Sequence, residues 1–143
     1  NLVKPDALTI GGEPIDLGRI RQALYAVTAE EDHIAPWTSC YQIRKTIHPK
    51  TPVRFVRSTS GHILGIVNPP VNPPKRAYWV ANPTAKEDAQ AWLQRAEKIP
   101  GTWWGDWLDW LAERTGDMVS AYPTANRKFP ALADAPGTYV LEK

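Results

Sequence analysis

"QALYAVTAEEDHIAPW", residues 22 to 37, decides the fold. Residues 22–29 are nearly continuous in apolar side chains, which predicts a strand buried on both faces of a parallel sheet. Two glutamates end that run, Asp32 and His33 stand side by side, and Pro36 suits the first turn of a helix. The helix is predicted over 36–47, "PWTSCYQIRKTI", and stops at His48-Pro49. "VRFVRSTS", residues 53–60, predicts a second strand, and its Arg54 and Arg57 are of the kind found at or near a sheet edge. Strand, helix, strand is a βαβ unit with parallel strands and a right-handed crossover. The fold class is therefore α/β.

Upstream, "DALTIGGEPIDLGRI" predicts a short hairpin turned at Gly11-Gly12. Downstream, the Asn-Pro-Pro pairs in "NPPVNPPKRAYWVANP" predict an extended loop. Thr84 to Glu87, "TAKE", has capping-box spacing and predicts a helix over 85–98, broken at Pro100-Gly101. In "TWWGDWLDWLAERTG", Trp103, Trp107, Trp110 and Leu111 share one helical stripe, with Gly116 as the stop. From about residue 118 to 143 the pattern fades and an irregular tail is expected. Two parallel strands alone would leave backbone groups and an apolar face uncovered. The expectation is thus the C-terminal part of one longer domain, spanning all of residues 1–143.

Composition removes several function classes. With a net charge of +2 and no dense Lys/Arg block, nucleic acid is not expected as a partner. No window approaches the run of about 20 apolar residues that a membrane span needs. No basic-then-apolar leader opens the chain. Cys40 is the lone cysteine, which excludes an internal disulfide and fits a reducing compartment. The spacings of His33, Cys40, His48 and His62 match no zinc site, so no metal is expected.

The chemistry sits at two strand ends. Asp32 follows the first predicted strand, and His62, in "STSGHILG", follows the second. Functional groups of parallel α/β sheets collect at the carboxyl ends of strands, and adjacent strands lie about 4.8 Å apart. An acid so placed fixes the tautomer of the imidazole and stabilises its protonated form. The order acid, then histidine, matches that of α/β-hydrolases, and Gly61 is expected to supply the sharp turn before the histidine.

"EDHIAPW", "SGHILGIVNPP", "PIDLGRIR" and "PGTWWGDWLDWLAERTG" together resemble the C-terminal region of class I polyhydroxyalkanoate synthases, over nearly the whole chain to about residue 120. The resemblance implies the C-terminal portion of an α/β-hydrolase fold, its last two parallel strands with flanking helices. It implies an acyltransferase that polymerises (R)-3-hydroxyacyl-CoA into polyester with release of CoA, through a Cys-Asp-His triad. Asp32 and His62 match the triad's acid and base, and His33 belongs to the same motif as Asp32. Ile34, Ile63 and Leu64 flank the pair, as an acyl pocket or as ordinary core. The family's nucleophile lies in a G-x-C-x-G elbow, absent here. Cys40, in "WTSCYQI", lacks the flanking glycines and reads as a packing thiol. No nucleophile is therefore assigned within the chain, which alone would be inactive. No cofactor is expected beyond the CoA of the substrate. The implied partners are the thioester, the polyester, the rest of the same domain and a second copy in a homodimer. The implied location is cytoplasmic, at the surface of polyester granules. A thioesterase, lipase or depolymerase of the same fold, and a non-catalytic granule-binding module, stand as alternatives.

Overall fold

The computed structural model describes residues 2–123 and 125–142. They divide into two compact units, one running to Glu113 and one starting at Arg114.

The first unit opens with the expected hairpin. β1 (Leu8–Ile10) pairs antiparallel with β2 (Glu13–Ile15), and both Gly11 and Gly12 take positive φ, 59° and 86°. β3 (Leu24–Ala29) then runs parallel to β4 (Val53–Ser58), in the register Leu24 to Val53 through Ala29 to Ser58.

The sheet does not stop at two strands, and here the expectation is corrected. β5 (Ala77–Ala81) and β6 (Glu97–Pro100) add antiparallel, giving the order β3-β4-β5-β6. β5 lies inside the stretch read as one long loop. Between Arg76 and Asn82 there is no proline, and "AYWVA" centres on the strand-forming Tyr78, Trp79 and Val80, which alternate between faces. Tyr78 and Val80 pack on one face, Trp79 and Ala81 on the other. β4 lies near the edge and not at it, one strand in from β3. Its arginines are accommodated by partners rather than by solvent: Arg54 pairs with Asp106 and Arg57 with Glu30.

Alternation along β4 builds a core on each face. Val53 and Phe55 join Trp37, Tyr41, Ile47, Ala89 and the fully buried Trp92 on one side. Val56 joins Tyr78, Val80 and Trp103 on the other. Three helical segments serve the first core. The helix predicted over 36–47 is two separate single turns, α1 (Trp37–Cys40) and α2 (Ile43–Thr46). Neither has a side-chain cap, and β-branched Thr38, Ile43, Thr46 and Ile47 oppose a continuous helix. α3 (Ala89–Arg95) begins later than the capping box implied. Asp88 caps it by accepting from the Ala91 amide at 2.8 Å, while Glu87 still accepts from the Thr84 amide. Residues 97 and 98 leave the predicted helix and join residues 99 and 100 in β6.

The second core is closed by α4 (Trp104–Ala112). Asp106, on its first turn, takes the guanidinium of Arg54 and the hydroxyl of Tyr25, the latter at 2.7 Å. Burial and the neighbouring Asp106 carboxylate push the Tyr25 hydroxyl far above the usual tyrosine range, so it serves only as a donor there.

In the second unit, Asn126 forms a side-chain turn with the amides of Lys128 and Phe129, and Tyr139–Leu141 is a single 3-10 turn. Most of its described residues are exposed. No helix among the described residues is long and apolar enough to cross a membrane.

Candidate active site

The carboxyl ends of β3 and β4 stay joined past the regular ladder. Glu30 donates its amide to the Ser58 carbonyl at 2.8 Å, and Glu31 donates to Ser60 at 3.0 Å. The chain then leaves β4 through Ser60, at φ 82°, so the left-handed residue is the serine and not Gly61 as expected. Residues 61–67 coil into a helical turn, closed by amide-to-carbonyl bonds of 2.8 Å from Gly65 to Gly61 and from Val67 to Ile63.

That turn carries His62 to Asp32. Nδ1 of His62 lies 2.8 Å from Oδ2 of Asp32. A carboxylate only accepts, so Nδ1 bears the proton and donates, leaving Nε2 as the lone-pair nitrogen of the neutral ring. Nε2 has no hydrogen-bond partner among the described residues, and the imidazole is 49% exposed. Asp32 is nearly covered, with 8% of its side chain exposed. Its other oxygen, Oδ1, accepts from the amides of Ala35 and Ile34, each at 2.9 Å. The Ala35 amide first, and then the His62 side chain, hold the Asp32 carboxyl below the usual carboxylate range. It is therefore charged at neutral pH and fixes the orientation of the facing ring. The arrangement can receive a proton at Nε2 from a group brought against it and hand that proton on.

Three packing features position the pair, and none was read from the sequence. Gly65 is the first. A Cβ on it would stand 2.5 Å from the Ala29 Cβ and 2.9 Å from the Gly61 carbonyl, so only glycine lets the His62 turn lie against the end of β3. The second is a pair of tryptophans. The indole N–H of Trp103 donates to the Gly65 carbonyl at 3.1 Å, and that of Trp104 to Ile66 at 3.2 Å. The third is Arg57, itself buried. It bonds Glu30 at 2.6 Å and lies over the rings of Trp37 and Trp79, 5.0 and 4.6 Å from their centroids. Glu30 and Trp37 bracket the loop that holds Asp32, so one guanidinium ties both ends of it. Two tryptophans on the same face as a mid-strand arginine were the available signal.

The remaining sequence candidates lie nearby without joining the pair. His33 is exposed, and its ring has no hydrogen bond among the described residues. Ile34, Ile63 and Leu64 are 66%, 68% and 53% exposed on this chain. Cys40 donates to the Ala35 carbonyl at 3.6 Å. Burial, and then the charge of Asp32, push its thiol up, opposite to what an attacking thiolate needs. Among the described residues no three His, Cys, Asp or Glu side chains gather as a metal centre.

No family model matches the chain. Curated relatives do. Poly(3-hydroxyalkanoate) polymerase 2 of Ectopseudomonas oleovorans is 40% identical over 143 residues, covering 99% of this chain and 25% of that protein. Polymerase 1 of the same organism is 41% identical over 144 residues, again covering 99% and 25%. The poly(3-hydroxyalkanoate) polymerase subunit PhaC of Cupriavidus necator is 40% identical over 140 residues, covering 97% and 23%. The chain spans about a quarter of the length of the curated relatives it matches. By sequence, then, this chain is similar to one stretch, about a quarter of the whole, of each of these poly(3-hydroxyalkanoate) polymerases.

Proposed function

We propose that the chain is the C-terminal part of an α/β-hydrolase-type catalytic domain and supplies the acid–base half of a polyester synthase site. The observation that carries this reading is the Asp32–His62 pair at 2.8 Å, on the ends of adjacent parallel strands, with Nε2 open. The names of the relatives supply the substrate class, a 3-hydroxyacyl unit.

In this reading a cysteine from elsewhere in the same polypeptide meets Nε2. His62 takes the thiol proton, and the thiolate attacks the thioester carbonyl of (R)-3-hydroxyacyl-CoA. Collapse of the tetrahedral species breaks the bond to the CoA sulfur. The proton held by His62 leaves with CoA, and the acyl group stays on the cysteine. A second cycle passes the acyl group to the 3-hydroxyl of another unit, whose proton goes to His62 while the cysteine sulfur departs. Asp32 holds the ring and balances its charge at each transfer. No metal or redox cofactor enters these steps. The exposed Ile34, Ile63 and Leu64 would face the remainder of the domain or the polyester. A homodimer at the granule surface is the expected working state.

The test uses the full-length protein that carries this chain. It should release CoA from 3-hydroxybutyryl-CoA and form polymer. Asp32→Asn and His62→Gln should each abolish that while leaving the unfolding midpoint in place. Free 3-hydroxybutyrate in place of polymer would assign a hydrolase instead.

A further inference from the structure

The Asn-Pro-Pro loop has no part in the steps above, yet it builds a cavity. A hollow of about 230 Å³ is walled by Pro69, Pro70 and Pro74, with Lys75, Arg76 and Asn68 on its lining and no carboxylate among its lining residues. Its volume is below the range of about 300–1,000 Å³ of whole drug-sized ligand pockets. It suits one group of a larger molecule.

Its polar side offers donors. Asn68 is 3% exposed, and its side-chain oxygen accepts from Nη1 of Arg76 at 3.3 Å, which holds the guanidinium at the wall. The Asn68 amide nitrogen is buried without an acceptor among the described residues, as befits a group whose acceptor arrives with a ligand. Arg76 and Lys75 form no ion pair among the described residues. The Thr102 hydroxyl accepts from the Trp104 amide at 3.2 Å, so its own proton is free to donate. Proline walls contribute no amide donors, so the side chains supply the polar contacts. Two cations, an unmet amide donor and a hydroxyl around a group-sized hollow call for an oxyanion, and phosphate best uses several donors at once.

The cavity follows the His62 turn directly along the chain. Asn68 directly follows Val67, whose amide closes the His62 turn, and lies six residue steps of coiled chain from His62. At about 1.5 Å per residue that is on the order of 9 Å. We propose that this cavity is a phosphate site and, resting on the CoA-thioester reading given above, that it holds a phosphate of the CoA while the acyl end reaches His62.

The experiment compares wild-type full-length protein with Lys75→Gln and Arg76→Gln. Steady-state CoA release is measured alongside 31P line broadening of inorganic phosphate. Lys75 is exposed, so its variant tests binding even if the Arg76 variant fails to fold. The expected result is a KM for 3-hydroxybutyryl-CoA raised about tenfold with kcat unchanged, as for lost ground-state binding. Inorganic phosphate should compete with the thioester in wild type and lose its line broadening in both variants. Lost phosphate binding with an unchanged KM would support the phosphate site with free phosphate as its source. KM and phosphate binding both unchanged would overturn the site. Should wild type release no CoA, the functional reading falls, and phosphate binding alone decides the cavity.

Discussion

Gly65→Ala is the sharpest probe of how the fold sets the pair. The added methyl would stand 2.5 Å from the Ala29 Cβ and 2.9 Å from the Gly61 carbonyl, and Ala29 is 1% exposed at the end of β3. Carbon–carbon contact needs about 3.5–4.0 Å, so the His62 turn must retreat by about 1 Å or more. Neither neighbour is the tip of a flexible side chain, and the strain falls on backbone. Overpacking of this kind costs about 1–3 kcal/mol. The same retreat moves His62 from its 2.8 Å contact with Asp32, and misplacement by about 1 Å costs on the order of 100-fold in rate. Urea unfolding and CoA release from 3-hydroxybutyryl-CoA, run on the full-length protein, read the two effects separately. Ala29→Gly removes the nearer clash and leaves the one with Gly61, so the double variant should recover part of both losses. A coupling energy in that cycle is the signature of direct contact. Gly65→Ala with wild-type stability and rate would refute the packing account, as would a double variant no better than the single.

Four further outcomes are expected. Arg57→Leu should lower kcat far more than it lowers the unfolding midpoint, because it frees both ends of the Asp32 loop from Glu30 and Trp37; unchanged kcat in steady-state assays would contradict that role. Cys40→Ala should retain activity, since its thiol is pushed up by burial, and loss of CoA release would place the nucleophile in this chain after all. Trp92→Ala, deleting a fully buried ring that also donates to the Ala81 carbonyl at 3.1 Å, should cost about 3–5 kcal/mol in urea unfolding. The hydrogen bond from Arg95 first, opposed by burial, holds Glu87 at about 2. Its folded value lies below the unfolded one of about 4.3, so its contribution is complete above that pH and is lost as pH falls toward 2. Glu87→Gln should accordingly flatten the acid side of the stability–pH curve, followed by circular dichroism.

The parallel pair was legible because its two strands announce themselves: an unbroken apolar run at 22–29, and β-branched residues at 53–58. The placement of Asp32 and His62 followed, since each sits just beyond its own strand, and parallel register brings such positions together. Where sequence reading failed, a nearby signal outweighed a quieter one. The prolines around 69–74 masked "AYWVA", whose five residues alternate correctly between faces yet are too few to stand out. The "TAKE" pattern drew the helix start to 85, but Asp88 makes the cap that counts, and Glu87 is engaged by Arg95 and Tyr41.

The arginines of β4 show the deeper reason. A charge in a strand pattern reads as an edge unless its partners are known, and those partners are far away in sequence. Asp106 lies 52 positions from Arg54, while Glu30 lies 27 positions before Arg57. A buried charge is tolerable only when paired, so the pairing that makes β4 an interior strand is invisible until the fold has formed. Gly65 and the two indoles that hold its turn follow the same rule. The glycine is required by a methyl 36 residues earlier, and the indole donors arrive from 38 residues later. The Asp32–His62 contact could be anticipated from residue type and from the end of the strand each residue follows. The residues that aim the pair could not, because what defines those residues is a contact and not a pattern.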